Sequence, residues 1–358
     1  MLRRLCLLGF IAGVAASAIP GNAQEPLQRI AFGSCAKQDQ PQPIWESVVA
    51  AKPQLFLFIG DNIYGDTEDM AVLKQKWDLL GAQPGYQVLK QTCPVLATWD
   101  DHDYGANDAG AEYPKKRESQ QLFHDFFGVP KDSPRRQQEG VYHAEIFGPP
   151  GKRVQVILLD ARYFRGPLKT GFKPGEPGDG YRGKYAPNTD PSATVLGDAQ
   201  WKWLEQQLQT PAEVRVLCSS YQLLPDEHGS EAWGNFPLER KRLLNLIRDT
   251  QAKGVVVISG DRHLAEIMRL APEAAGIGYP LYEVTSSSLN APSGNFTKAG
   301  VRFANEINSY RVGLTYFDTN FGFVDIDWSQ PSPLIRLQVH DEKGAVVLQQ
   351  RVKLSELQ

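Results

Sequence analysis

Leu55-Phe56-Leu57-Phe58-Ile59-Gly60-Asp61-Asn62-Ile63-Tyr64 decides the fold. Five apolar residues without alternation describe a strand buried on both faces, and ligands gather where such strands end. This one ends on Gly-Asp. Four other segments repeat the pattern on either side: Ile30-Ala-Phe-Gly-Ser-Cys35, Val95-Leu-Ala-Thr-Trp-Asp-Asp101-His-Asp103, Val154-Gln-Val-Ile-Leu-Leu-Asp160-Ala-Arg162 and Val255-Val-Val-Ile-Ser-Gly-Asp261-Arg-His263. Together the exits carry Cys, Asp, Tyr, Asn and His, which suggests one polynuclear metal site.

Between the apolar runs lie amphipathic stretches, so the spacing predicts helices over 43–51, 68–80, 118–127, 199–208 and 238–252. After about residue 279 the character turns to strands, expected over 281–285, 311–318, 321–328, 334–340 and 346–352. An α/β (α+β) fold with two mixed sheets and helices on the outer faces accommodates both halves. A separate C-terminal β-domain is the alternative. Segments 165–196 and 290–310 have no periodicity, and long aperiodic loops are often functional.

The chain has 358 residues, ample for a sizeable core, with 42% hydrophobic and 22% charged residues. A formal net charge of −3 gives no basic excess that would point to nucleic acid or an anionic membrane. Arg3-Arg4, the apolar stretch from Leu5 to Ala16 and Gly21-Asn22-Ala23 predict a secretory signal peptide over 1–23, exported by the general or the twin-arginine route, before a single domain over 24–358. The expected location is secreted or periplasmic, with no stable membrane insertion. Cys35, Cys93 and Cys218 are too few and too scattered for a disulfide framework. Cys93 ahead of a strand and Cys218 within one fit as small buried hydrophobes, whereas Cys35 ends a strand on a turn.

Asp61 at a strand exit could bridge two hard cations, with Tyr64 turning back as a phenolate; a plain turn followed by a core tyrosine is the alternative. Asp100-Asp101-His102-Asp103 is harder to explain blandly, because clustered carboxylates repel unless cations or donors compensate them. Asp261 and His263 share one side by alternation, and carboxylate plus imidazole suits a divalent transition metal. Arg162 could present its fork to a phosphate or pair with Asp160. There is no phosphate loop with Lys, no Gly-x-Ser-x-Gly elbow and no His-Glu-x-x-His helix.

In this order, Phe32-Gly-Ser-Cys35, Gly60-Asp61 with Tyr64, Asp100-Asp101-His102-Asp103 and Gly260-Asp261-Arg262-His263 resemble the blocks of the calcineurin-like metallophosphoesterase superfamily and, within it, the PhoD-like alkaline phosphatase family. Cys35 stands where other families carry Asp-x-His, and the resemblance runs from about Arg29 through Trp328. It implies a four-layer αββα sandwich and a phosphomonoesterase or phosphodiesterase acting on small-molecule or lipid phosphate esters. It also implies a centre of Fe3+ with Ca2+. By position, Cys35 and Tyr64 would bind iron, Asp61 would bridge, and Asp101, Asn107, Asp261 and His263 would complete the shell. His102 would stand near the leaving group and Arg162 would contact phosphate. No room is expected before Arg29 for the N-terminal β-domain of some members. A lipid phosphodiesterase of the phospholipase D type is the alternative, and a non-catalytic secreted binding protein on the same fold is the rival.

Overall fold

The structure, a computed structural model, describes residues 25–171, 183–295, 303 and 305–358. The expected signal peptide and the middles of both long loops lie outside these residues. Fourteen strands occur among the described residues: β1 (Arg29–Gly33), β2 (Leu55–Ile59), β3 (Val95–Thr98), β4 (His143–Phe147), β5 (Val154–Leu158), β6 (Lys169–Thr170), β7 (Tyr185–Ala186), β8 (Val214–Cys218), β9 (Val255–Ser259), β10 (Ala265–Leu270), β11 (Leu281–Ser286), β12 (Asn320–Asp327), β13 (Leu334–Asp341) and β14 (Val346–Lys353). Two six-stranded sheets run β14-β13-β12-β1-β2-β3 and β10-β11-β9-β8-β5-β4, and β6 with β7 forms a ribbon. Because β12–β14 extend the sheet that begins with β1, the β-rich end is not a separate sheet.

Strand alternation builds the layers. In the first sheet Ile30, Phe32, Leu55, Leu57 and Ile59 join the core between the sheets. Ala31, Phe56 and Phe58 face the other way, into a second core under the helices. There Trp45 of α1 (Ile44–Ala50) lies edge-on to Phe56 and Phe58, with ring centroids 5.4 and 5.6 Å apart, a preferred aromatic geometry. Helices α2 (Met70–Ala82) and α3 (Pro84–Thr92) share that side. Asp69 caps α2 by accepting from the amides of Ala71 and Val72, so the helix starts two residues later than its periodicity suggests. The four-residue α4 (Asp101–Tyr104) and α5 (Lys116–Phe126) follow. On the second sheet, Gln155 and Arg215 reach the last turn of α6 (Gly197–Gln209) at the carbonyls of Gln207 and Leu208. Helix α7 (Pro237–Asp249) completes that layer, and α8 (Pro272–Ala275) is a single turn.

The strand expected over 311–318 does not form. Isolated bridges join Arg311 to Met268 and Tyr316 to Ala265, while Gly313 between them takes φ +82° and Leu314 stands 77% exposed. A left-handed glycine breaks the ladder there, and the segment edges β10 without continuing it. Helix α3 and strands β4 and β10 arise where the periodicity carried no prediction.

His124 of α5 is fully buried, with Nε2 3.2 Å from the Arg135 carbonyl. Burial, reinforced by the Arg135 and Arg136 guanidiniums, pushes its pKa down to about 4. The unfolded chain therefore binds this proton first, near pH 6.5. The stabilisation is complete above that pH and is lost as pH falls towards 4. A His124→Gln variant should remove on the order of 1–2 kcal/mol of acid sensitivity after allowance for screening. Denaturant midpoints at pH 7 and 4.5 check this, and an undiminished pH dependence would refute it.

Candidate metal centre

Strands β1, β2 and β3 are mutually parallel, as are β5, β8, β9 and β11. Their carboxyl ends consequently open towards one region where the sheets meet, the place where open α/β sheets hold ligands. Eight non-glycine residues have positive φ among the described residues. Four of them are Cys35 (58°), Asp61 (49°), Asp261 (69°) and His263 (55°), and two more, Asp66 (47°) and Asp108 (57°), border the same cavity or its histidine. Such conformations cost of order 1–3 kcal/mol each and persist where the surroundings over-determine them. Gly60 has φ +105°, and a Cβ there would stand 2.5 Å from the Asp100 Cβ, so only glycine lets the two acidic turns meet.

Three donor groups share Asp61, one of them with Asp101 and His102. Cys35, Asp61 and His263 offer atoms within 4.8 Å of one another, as do Asp61, Asp100, Asp101 and Asp261. In the first group the Cys35 thiol lies 3.4 Å from Asp61 Oδ2, and the Tyr64 hydroxyl lies 3.4 Å from His263 Nε2. His263 Nδ1 donates to the Ala291 carbonyl, which leaves the Nε2 lone pair facing Tyr64, the orientation a ligating imidazole needs. Ser287 ties the group together: its Oγ is 3.1 Å from Cys35 Sγ and accepts from the His263 amide at 2.8 Å. In the second group Asp101 accepts from the amides of Asp108 at 2.6 Å and His102 at 2.9 Å. Asp103 turns away from the cavity. It accepts from the amides of Asp100 at 2.7 Å and Asp61 at 3.2 Å and from the Asn62 side chain at 2.6 Å, so it fixes the two acidic turns to each other.

The donor set fits cations. Burial pushes the Asp61 carboxyl well above its usual range, and Asp101 and Asp100 add repulsion. Burial and then Asp100 do the same to Asp261. Burial followed by Asp61 raises the Cys35 thiol, and burial followed by Cys35 raises the Tyr64 phenol. Asp61 Oδ1 is buried without a hydrogen-bond partner. Buried polar atoms are rarely left so, and each of these groups would gain from a positive charge at the centre. His263, held down to about 4 chiefly by burial, stays neutral as a ligand must.

Arg162 is a correction. Its guanidinium is fully buried, bonding Asp100 at 2.5 Å and Glu231 at 2.7 Å. It is not presented to a phosphate, nor does it pair with Asp160, whose Oδ1 instead accepts from the Arg162 and Tyr163 amides. Burial alone would push Asp101 up, but Arg162 and then His102 outweigh it and hold that carboxyl below the usual range.

A cavity of about 360 Å³ adjoins the centre, lined by Asp101, His102, Asn107, Asp261 and His263, with Lys184, Tyr185 and Phe303 on the outer walls. Asn107 is exposed on this wall. The structure thus brings Cys35, Asp61, Tyr64, Asp101, Asp261 and His263 together, sets His102 and Asn107 beside them, and puts Arg162 behind them. Sequence reasoning passed over Asp66, Glu231 and Ser287. Of these only Ser287, in the run Ser286-Ser287-Ser288, carried a local signal.

The family described as PhoD-like phosphatase matches residues 30–332. Alkaline phosphatase D of Bacillus subtilis (strain 168) is 25% identical over 285 residues, covering 68% of this chain and 47% of the relative. The chain therefore spans about half the length of the curated relative it matches. The solved structure of PhoD superposes with a TM-score of 0.62 at 17% identity, over 92% of this chain and 72% of that one. A dimetal phosphatase from Danio rerio gives 0.55 at 13% identity, over 92% of this chain and all of that one. These two structures share the architecture of paired mixed sheets.

Proposed function

The chain belongs to the PhoD-like phosphatase family, and from that premise we propose that it is a metal-dependent phosphoesterase that cleaves phosphate esters with metal-activated water. The observation that carries the reading is Asp61, buried with one oxygen unpartnered and shared by donor groups of different chemistry. Thiol, phenol and imidazole in the first group favour iron, which would be held by Cys35, Tyr64, His263 and Asp61. The all-oxygen second group, Asp61, Asp100, Asp101 and Asp261, suits a hard cation such as Ca2+, with Asn107 on the adjoining cavity wall. When bound, such metals supply Lewis acidity to the phosphoryl oxygens and acidify the attacking water.

The chain's own groups do the rest. His102 is partly exposed to the cavity. Burial lowers its affinity for protons, but Asp66 and then Asp101 overcome this and push its pKa up to about 9. A protonated imidazole there can give its Nε2 proton to a departing alkoxide. Tyr64 backs the ring, with centroids 4.4 Å apart. Arg162 keeps Asp100 and Glu231 compensated and Asp101 ionised. The leader reading places this activity outside the cytoplasm. No helix among the described residues is long and apolar enough to cross a membrane.

Metal analysis should find iron and calcium in the purified protein, and a panel of aryl mono- and diesters should reveal turnover. His102→Ala should lose at least about a hundredfold in kcat, the scale of a general acid. Metal-free protein with full turnover, or an unaffected His102→Ala variant, would overturn the assignment.

A further inference from the structure

We propose that Phe303 is a specificity-determining residue that favours phosphate esters whose leaving group carries an aromatic ring; this rests on the phosphoesterase reading. The donors Asp101, Asp261 and His263 stand on one side of the cavity, so a phosphoryl group held there directs its leaving group towards the outer walls. Among the described residues that line the cavity, Phe303 alone has a purely hydrocarbon side chain. Tyr185, also on the outer walls, has its hydroxyl committed to Asp108. A flat apolar group extending from the metals therefore meets aromatic carbon, and aromatic pairs gain more than simple burial provides.

The turn that carries two of the metal donors also sets the position of the ring. Arg262 stands between Asp261 and His263, and its guanidinium carbon lies 4.9 Å from the Phe303 ring centroid, within cation–π range. The same guanidinium donates from Nη2 to Glu306 Oε2 at 2.5 Å. The Glu306 amide donates to the Phe303 carbonyl at 3.1 Å, so one arginine grips both ends of a single turn.

The chain beyond is anchored as well. Asn308 Nδ2 and Arg311 Nε reach the two oxygens of Glu266 in β10, at 3.0 and 2.5 Å. Ser309 bonds Glu227 through its amide at 2.7 Å and its hydroxyl at 2.8 Å. The Glu306 and Glu266 side chains have no exposure. Stability does not account for these pairs, because apolar residues of similar volume often serve a fold as well as a buried ion pair does. What the pairs accomplish is location. Phe303, 9% exposed, is kept at the cavity wall by a residue flanked by metal donors.

Phenylphosphonate and methylphosphonate hold their organic group through a phosphorus–carbon bond that the reaction does not break, so their affinities report the wall without leaving-group reactivity. Titration calorimetry on metal-loaded protein should show phenylphosphonate binding about 3–10-fold more tightly, the scale of one aromatic pair. Phe303→Ala should cut that preference to under about twofold, while methylphosphonate affinity and metal content stay at the wild-type level. Phe303→Leu, which keeps apolar bulk without a ring, should fall between the two. In turnover, the loss in Phe303→Ala on phenyl phosphate should appear in KM and not in kcat, the mark of binding shared by ground and transition states. No phenyl preference in the wild type, a preference that survives Phe303→Ala, or equal weakening of both phosphonates would overturn the proposal. A protein that shows the preference and its loss but cleaves no phosphate ester would support the role of Phe303 while refuting the phosphoesterase reading. Ester turnover without any phenyl preference would do the reverse.

Discussion

Replacing Asp61 with Asn should abolish the centre's charge balance and improve the fold in the same step. Asp61 is the member common to three donor groups, and an amide offers one weak acceptor where two carboxylate oxygens stood. Removing partners outside the ligand shell already costs about 10–100-fold in affinity or activity, so loss of the shared ligand should cost at least about a hundredfold in kcat. Bound metal should fall in parallel. Chelated protein should respond oppositely. There Asp61 is a buried carboxyl raised by burial, then by Asp101 and Asp100. A group with a raised folded-state pKa stabilises below its unfolded value, and that contribution is lost as pH rises through the folded value. The chelated wild type should thus weaken on going alkaline, and Asp61→Asn should weaken less. Denaturation midpoints of both chelated proteins at pH 6 and 9 provide the check, beside metal content and turnover. A variant that retains metal and rate, or that is less stable than the wild type when chelated at pH 9, contradicts this account.

Arg162→Met should be the most destabilising single change near the centre. The guanidinium bonds Asp100 and Glu231 with no exposure of its own, while Ser220 adds a hydroxyl to Asp100 at 2.6 Å and Arg165 stands 3.4 Å from Glu231. Removing one partner of a buried ion pair costs about 3–5 kcal/mol, because the charge left behind has no water to turn to. Arg162→Lys should recover part of this but not the two-sided contact, since one ammonium cannot reproduce the fork. The discriminating readout is stability measured on chelated protein. A loss there follows from a structural guanidinium, whereas an unchanged midpoint together with a raised KM would restore Arg162 as a phosphate contact.

The contrast between Arg162 and the metal donors shows what the sequence makes legible. The buried strands announce themselves by composition, since Leu55–Ile59 and Val255–Ser259 have no polar residue before Ser259. Their exits inherit a common location from parallel pairing, so the order of residues alone is enough to group Asp61, Asp261 and His263. Arg162 shares such an exit, yet its role depends on Asp100 and Glu231, which lie 62 and 69 residues away. No local spacing encodes those contacts. Asp66 was hidden for another reason: it lies in a turn without periodicity, and its importance comes from a left-handed backbone that many sequences could adopt. The misread strand over 311–318 fails in the same way, at one glycine.

The position of β1 has a kinetic consequence. This strand lies between β2 and β12, with Arg29 opposite Asp325, and Trp328 donates to the Leu27 carbonyl. The turn beyond it is stitched to late sequence as well, by the Leu289 amide on the Ser34 carbonyl. Contacts between such distant parts of a chain form slowly, because a long loop must close before they contribute. A nascent chain that has not yet reached β12 has one unpaired edge on the strand that leads to Cys35. Synthesis of the polypeptide must therefore reach β12 before the thiol is held in place, which makes the Cys35 turn a late-forming part of the fold.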